Sequence, residues 1–277
     1  MKEGYQTLPR RPLEKRKLRY EDVYPVLYLK YRLETQQEDS GVRHLIVDEM
    51  QDYSMIQYLI IQRLFKCRMT ILGDREQTMD GEQQDVLTFL PKIFGKDIRR
   101  IVMNKSYRNT VEIASYANKL AGITEVELFE RHGKPVVEKE FPGLEEALES
   151  VVRELRLEKQ AVIAENADES VEDIISYETA AVIARTADEA RETYYILKEK
   201  LEAEGFDTKE RLSLLHRDST NFQKGLTVTT FYMAKGLEFD QVFSVFPGQD
   251  RSQIVERARY IAATRALHEL YMYEVVK

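Results

Sequence analysis

The stretch Leu45-Ile46-Val47-Asp48-Glu49-Met50-Gln51-Asp52 decides the predicted fold. Its three leading apolar residues indicate a short buried strand, and two adjacent carboxylates, Asp48 and Glu49, follow at the carboxyl end of that strand. Open α/β sheets bind their ligands at this edge. In a nucleotide-hydrolysing site, one such acid holds Mg²⁺ and its neighbour orients or deprotonates the attacking water. Taken alone, such a pair is much more often an acidic strand-to-helix turn than a catalytic site.

The bulk composition is that of a globular protein with one large domain or two ordinary ones. The chain has 277 residues, of which 43% are hydrophobic and 32% charged. Its net charge of −7 argues against a protein that coats nucleic acid by bulk electrostatics, but it leaves room for a local basic groove. Cys67 is the single cysteine, which excludes disulfide pairs within the chain and cysteine-built zinc sites. With no apolar run long enough for a membrane span, we expect a cytoplasmic protein and no membrane partner.

Helical and extended patterns alternate along the chain, which predicts parallel α/β sheets. Besides the strand that ends at Val47, we expect strands at residues 69–72, 98–103, 180–184, 227–231, 241–246 and 270–275. We expect helices at residues 20–33, 55–64, 110–120, 144–157, 189–204 and 252–267, with Ser54 as the N-cap of the second.

Four further motifs fall at junctions between these elements. They are Gly73-Asp74-Arg75-Glu76-Gln77, Ser106-Tyr107-Arg108-Asn109-Thr110, Ala234-Lys235-Gly236-Leu237-Glu238-Phe239-Asp240 and Tyr260-Ile261-Ala262-Ala263-Thr264-Arg265-Ala266. Each motif alone has an ordinary structural explanation, such as a turn or a helix start. Their order and spacing together argue against a chance match.

In this order, the motifs resemble the ATPase motifs of the superfamily 1 helicases, the UvrD/Rep/PcrA group. The stretch from Asp48 to Asp52 resembles the DExQD element of that family. The resemblance implies that Asp48 ligands Mg²⁺ and that Glu49 is the general base. Gln77 closes a GDxxQ-like element and would reach the γ-phosphate of ATP.

The later motifs resemble further nucleotide-binding elements of that family. Tyr107 would stack on adenine, and Arg108 would contact the γ-phosphate. Glu238 would accept a hydrogen bond from the ribose, and Gly236 belongs to the same element. Arg265 would neutralise the charge that grows on the transferred phosphoryl group, a role worth about 10³–10⁵ in rate in other phosphoryl-transfer enzymes.

The resemblance implies an α/β fold of two RecA-like lobes of the P-loop NTPase type, each built on a parallel sheet. Residues 1–122 would form the first lobe, which is incomplete, and residues 123–277 would form the second. ATP and Mg²⁺ are the implied cofactors, and single-stranded DNA is the implied partner. Acids from one lobe and arginines from the other would have to meet in a common cleft, and closure of that cleft would drive movement.

The chain departs from the family because it has no G-x-x-x-x-G-K-[ST] phosphate loop. The pairs Gly95-Lys96 and Gly133-Lys134 lack the earlier glycine and the following Ser or Thr. We therefore expect the C-terminal portion of a longer helicase or translocase, which alone does not hydrolyse ATP. The alternative is a chain that has lost ATPase activity and keeps the fold as a binding module.

A second departure concerns the nucleic-acid partner. Residues 78–81 follow the GDxxQ-like motif without the aromatic side chains that stack on bases in the UvrD group. Residues 129–133 (FERHG) and 268–270 (HEL) also resemble the HelD, or helicase IV-related, branch. The alternative function is therefore a HelD-like factor that binds RNA polymerase and uses ATP to release it from nucleic acid.

Overall fold

The computed structural model describes residues 18–34, 41–74, 77, 86–95, 97–103, 105–124, 127–165, 178–217, 219, 224–250 and 252–276. The chain divides into two compact units, Met1–Arg100 and Ile101–Lys277. None of the helices in the described part is long and apolar enough to cross a membrane.

The first unit is a small α/β body around two parallel strands. Its elements are α1 (Tyr20–Leu33), β1 (His44–Val47), α2 (Met55–Leu64), β2 (Arg68–Ile71) and α3 (Val86–Phe94). The strands pair from His44 with Arg68 to Val47 with Ile71. Helix α2 connects them, so the unit is one strand–helix–strand crossover of the kind that parallel pairing requires.

The core of the first unit lies where α2 and α3 pack on β1. Tyr58 is fully buried in α2 and its ring contacts Phe89 and Phe94 of α3. Helix α2 begins after Ser54, whose backbone N–H and hydroxyl both donate to the Gln57 side chain at 2.7 Å. The predicted helix start at Ser54 is therefore confirmed.

The strand predicted at residues 98–103 is wrong. Residues 97–103 have no regular secondary structure, and the side chains of Ile101 and Met103 are 71% and 86% exposed. Strand propensity depends on context, so a segment with apolar and β-branched residues forms no strand unless a neighbouring strand pairs with it. The apolar pattern was present, but no described strand of the first unit pairs with this segment.

The second unit contains a six-stranded parallel sheet. Its elements in chain order are β3 (Lys105–Ser106), α4 (Val111–Ala121), β4 (Glu127–Leu128), β5 (Val137–Phe141), α5 (Leu144–Glu165), β6 (Thr179–Ala184), α6 (Ala187–Ala203), α7 (Thr208–Arg211), β7 (Leu212–Leu214), β8 (Gly225–Thr230), α8 (Phe231–Ala234), β9 (Phe239–Pro247), α9 (Gln253–Arg265) and β10 (Ala266–Val275). The strand order is β5-β10-β9-β6-β8-β7, and β3 and β4 form a separate parallel pair.

Burial explains why β6, β8 and β9 occupy the centre of this sheet. Residues 180–184 of β6 are all buried, as are all residues of β8 and most of β9. Parallel sheets are covered on both faces, so their inner strands consist of continuous apolar or small residues. Helices α5 and α6 pack together on one side of the sheet, and α4 packs against α9.

The predicted α/β class with parallel sheets is confirmed, and the six-stranded sheet is consistent with a RecA-like lobe. The units divide after Arg100 because the contacts of α4 are with α9, β4 and β10 of the second unit. The lobe boundary that we placed after residue 122 stays a prediction.

Candidate functional site

Two acidic residues leave the end of β1 and remain near β2. The ladder continues past both strands, since Leu72 N–H donates to Val47 O and Met50 N–H donates to Leu72 O, each at 2.8 Å. Asp48 is exposed and Glu49 half-buried. The predicted acids therefore lie at the carboxyl edge of the two-stranded sheet, where ligands of α/β proteins bind.

Glu49 has a left-handed backbone, with φ 51° and ψ 52°. It is the one non-glycine residue with positive φ in the described part of the chain. Its N–H donates to Asp48 Oδ1 at 2.8 Å, which ties the neighbouring carboxylate to the same turn. Such a conformation costs about 1–3 kcal/mol and persists only where surrounding contacts hold it.

Gln51 connects the two motifs of the first unit. This buried side chain donates from Nε2 to Glu49 Oε2 at 2.5 Å and accepts from Asp74 N–H at Oε1, 3.1 Å away. Gly73 allows this approach, because a Cβ atom there would lie 2.6 Å from the backbone nitrogen of Met50. The amide thus orients the predicted general base and fixes the second motif beside it.

Gln77 lies against the same turn. Its backbone N–H donates to Asp74 O at 3.2 Å, and its Nε2 donates to Asp74 Oδ2 at 2.9 Å. The structure therefore brings Asp48, Glu49 and Gln77 to one edge of the first unit through Gln51 and Asp74. Arg75, Glu76 and the non-aromatic stretch 78–81 lie outside the described residues.

Tyr58 stabilises this edge through a hydrogen bond to the backbone. Its hydroxyl donates to Met50 O at 3.1 Å, under the turn that follows Glu49. Burial raises the pKa of the Tyr58 phenol, and the nearby Tyr53 and Asp52 raise it further. The hydroxyl therefore stays protonated and keeps donating throughout the ordinary pH range.

In the second unit, Arg108 and Glu238 form a direct ion pair. Arg108 Nε lies 2.7 Å from Glu238 Oε1, and the two side chains are 47% and 41% exposed. Tyr107 is exposed beside them and its ring lies 5.6 Å from that of Phe129. A pair this accessible to water contributes about 0–1 kcal/mol, so its partners can exchange for others at little cost.

Arg265 is buried and holds the turn that carries Glu238. Only 2% of its surface is exposed, and Nη1 donates to Leu237 O at 3.2 Å. Gly236 begins that turn with φ 79°, a conformation that favours glycine. The arginine motif and the Ala234–Asp240 motif thus meet through a backbone carbonyl next to Glu238.

Sequence reasoning missed the role of Asn109. This buried side chain donates from Nδ2 to Ala266 O at 2.5 Å and to Thr264 O at 3.5 Å, on both sides of Arg265. Asn109 was part of the quoted motif, but a sequence cannot indicate which backbone it bonds. It joins the segment that carries Arg108 to the segment that carries Arg265.

Asp240, the last residue of its motif, has a structural role. Its Oδ2 accepts from both the N–H and the hydroxyl of Thr179 at 2.9 Å, which joins the starts of β9 and β6. Its Oδ1 lies 3.7 Å from His268 Nε2. The signature therefore divides into an exposed acid, Glu238, and a half-buried acid that fixes the sheet.

A cavity of about 350 Å³ lies beside these segments. Its lining consists of Thr110, Arg131, His132, Gly133, Lys134, His268 and Glu269. The carboxylate of Glu269 is buried at its floor, where it accepts from Gln241 and Tyr271 at 2.9 Å and pairs with Lys134 Nζ at 2.5 Å. Sequence analysis had singled out parts of this lining only for their resemblance to the HelD branch.

Each unit, taken by itself, offers side chains whose donor chemistry suits Mg²⁺ or a nucleotide. Magnesium in phosphoryl-transfer sites is held by one or two carboxylates together with substrate phosphates. Asp48 offers an exposed carboxylate, and no described cluster of three His, Cys, Asp or Glu residues forms a complete metal cage. Arg108 and Tyr107 offer an exposed guanidinium and an exposed ring.

Residues 5–79 match the UvrD/REP helicase N-terminal domain family. The matched region contains Asp48, Glu49 and Gln77. No curated protein gives a significant match to the chain.

The solved structures that are similar to the chain include the following two. One is the C-terminal domain of a possible DNA helicase from Lactobacillus plantarum WCFS1, with 24% identity over 61% of this chain and 88% of that one, and a TM-score of 0.42. The other is the helicase of PRRSV, with 14% identity over 83% of this chain and 34% of that one, and a TM-score of 0.41.

Proposed function

We propose that the chain is part of a UvrD-like superfamily 1 ATP-dependent DNA helicase or translocase, and that it supplies the catalytic acids and the arginines of the ATPase site. The observation that carries this proposal is the bonding within each motif set. Gln51 joins Glu49 to Asp74 in the first unit. The second unit joins Arg108 to Glu238 directly. That the two sets meet around one nucleotide is part of the proposal.

In the first unit, Asp48 would hold Mg²⁺ through its exposed carboxylate. Mg²⁺ held there would supply positive charge against the negative charge of the nucleotide phosphates. Glu49 would take a proton from the attacking water, and its hydrogen bond from Gln51 would keep the carboxylate aimed at that water. Gln77 would contact the γ-phosphate through the second N–H of its amide, while the first stays bonded to Asp74 Oδ2.

In the second unit, the ion pair between Arg108 and Glu238 prepares both side chains for a nucleotide. A phosphate would pair with Arg108 in place of Glu238. A ribose hydroxyl would donate a hydrogen bond to Glu238, two residues after Gly236. Both exchanges replace one charge-assisted bond by another, so neither leaves a charge unpaired. Tyr107 would stack on adenine. Arg265, whose side chain donates to Leu237 O, would stabilise the negative charge that grows on the phosphoryl group.

Nucleotide binding tests this proposal directly. We expect the chain to bind a fluorescent ATP analogue in the presence of Mg²⁺, and Arg108→Ala to weaken that binding about tenfold or more. Arg191→Ala removes an exposed arginine on α6 and serves as the matched control. Equal affinities for the two variants would overturn the assignment of Arg108.

Hydrolysis and DNA binding are separate parts of the proposal. Without a phosphate loop, backbone N–H groups that cradle the β-phosphate are missing from the sequence, so we expect no steady-state turnover of Mg-ATP by the chain alone. Turnover at helicase-like rates would refute this.

The expected partner is single-stranded DNA, and fluorescence anisotropy with a labelled oligonucleotide would detect it.

A HelD-like factor acting on RNA polymerase is the second candidate. The two segments that resemble the HelD branch lie in contact, since a Cβ atom on Gly133 would be 3.4 Å from His268 O. Co-purification of the chain with RNA polymerase, without stimulation of any activity by single-stranded DNA, would favour this candidate.

A further inference from the structure

One side chain lies between the two segments that carry Arg108 and Arg265. Arg131 follows β4, and its backbone is fixed on both sides: its N–H donates to Phe129 O at 2.7 Å, and its carbonyl accepts from Val111 N–H at 2.9 Å. The side chain therefore starts from a defined place at the beginning of α4.

A single nitrogen of this side chain bonds both segments. Arg131 Nη2 donates to Arg108 O at 2.5 Å and to Leu267 O at 2.7 Å. The first carbonyl belongs to the arginine that pairs with Glu238, and the second lies two residues after Arg265. A guanidinium holds its donors in a rigid plane, so these two bonds fix the spacing between the carbonyls.

The neighbours of Arg131 prevent it from shifting. Glu112 accepts from Gly133 N–H at 2.9 Å and lies 3.0 Å from His132 Nδ1. A Cβ atom on Gly133 would lie 2.6 Å from Thr110 Cγ2, so the loop is packed tightly on the start of α4. The start of α4 thus holds the stretch 131–133, in addition to the bond from Arg131 to Arg108 O.

We propose that Arg131 is a positioning residue that sets the Arg108 guanidinium and the Arg265 segment at the spacing that a nucleotide phosphate requires. This inference rests on the proposed function, because it assigns a purpose to the spacing of the two arginines. Arg131 itself touches only carbonyl oxygens in these contacts and acts through the residues that it holds.

The test follows the Arg108 Nε–H resonance in the full chain, assigned by its loss in Arg108→Lys. In the wild type Arg108 Nε lies 2.7 Å from Glu238 Oε1, so this proton reports on the ion pair. We expect Arg131→Ala to shift or broaden the resonance and to weaken binding of a fluorescent ATP analogue about tenfold, through loss of charge-assisted bonds. Arg131→Lys should restore part of both signals, and Arg191→Ala should leave both unchanged.

An unchanged Arg108 resonance in folded Arg131→Ala would overturn the inference. If that variant does not fold, Arg131→Gln, which keeps one donor nitrogen, replaces it. An unchanged Arg108 resonance in this variant would overturn the inference in the same way. Failure of the wild type to bind the analogue would count against the proposed function alone, because the resonance reports on Arg131 with or without nucleotide.

Discussion

At the scale of single residues, a strained backbone conformation sets the direction of the Glu49 carboxylate in the first unit. Glu49 adopts positive φ, and Gln51 and Asp48 supply the contacts that hold it there. The bonds of Gln51 extend to the backbone of Asp74, so the position of Glu49 depends on the turn at the end of β2. We therefore expect this turn to tolerate little change.

Gly73→Ala tests that expectation. The added methyl would lie 2.5 Å from Met50 Cγ and 2.6 Å from Met50 N, and overpacking of this kind costs about 1–3 kcal/mol. Urea unfolding followed by circular dichroism should show the loss. Gly143→Ala is the control, because its added methyl meets only the flexible end of Glu146. A loss no greater than that of the control would contradict the predicted crowding.

Glu112 predicts a pH dependence of the loop that carries Arg131. Partial burial raises the pKa of this carboxyl, but hydrogen bonds from its own N–H, His132 and Gly133 outweigh burial and lower the pKa to about 2. A depressed pKa stabilises the folded state above the unfolded value of 4.5, and the benefit is lost as pH falls from 4.5 towards 2.

We therefore expect Glu112→Gln to lower the melting temperature at pH 7, and the gap to the wild type to shrink as pH falls below 4.5. Thermal scans at several pH values measure this. Glu145→Gln, at an exposed glutamate in the first turn of α5, is the control. A gap for Glu112→Gln that stays constant down to pH 3 would argue against the depressed pKa.

At the scale of elements, helix α6 begins with a reciprocal cap. Glu189 N–H donates to Thr186 Oγ1 at 3.2 Å, and Thr186 N–H donates to Glu189 Oε2 at 3.1 Å. Thr186→Ala should cost about 0.5–2 kcal/mol of unfolding free energy, since it leaves a helix N–H without its partner. Thr186→Ser keeps the oxygen and should cost much less. Equal losses would show that the cap hydrogen bond is not the cause.

Helices with a periodic apolar pattern were predictable from sequence. The helix predicted at residues 20–33 has those bounds, and α4 begins after Thr110 and ends at Ala121, before Gly122, whose φ is 67°. The predicted strand 98–103 was wrong because apolar character does not show whether a neighbouring strand exists. Pairing is decided by residues remote in sequence.

The candidate site was predictable in part for the same reason. Motif spacing placed acids after β1 and an arginine at the end of α9. It could not show that Gln51, Asn109 and Arg131 join the motifs within each unit, because hydrogen bonds between these side chains and backbone groups leave no sequence pattern. The roles of Asp48, Glu49, Gln77, Tyr107, Arg108, Gly236, Glu238 and Arg265 in catalysis and nucleotide binding stay predictions.

At the scale of the whole molecule, the candidate groups divide between the two units. The first unit holds the acids of the proposed metal site, and the second holds the two arginines, Glu238 and the Tyr107 ring that is proposed to stack on adenine. Neither set alone can surround a triphosphate, since phosphoryl transfer needs a held metal, an oriented water and positioned cations together. The central claim is therefore that both units contact one nucleotide.

Iron-directed cleavage tests this claim most directly. Iron(II) would replace magnesium beside the bound ATP. When ascorbate and peroxide are added, the iron would cleave the protein backbone close to its binding site. We predict cuts in both units, at residues 48–49 and close to Arg108 or Arg265, and their joint loss in Asp48→Asn. Asp188→Asn, at an exposed acid on α6, should keep them. Cuts confined to one unit, cuts that survive Asp48→Asn, or no cutting beyond that by free iron would contradict the claim.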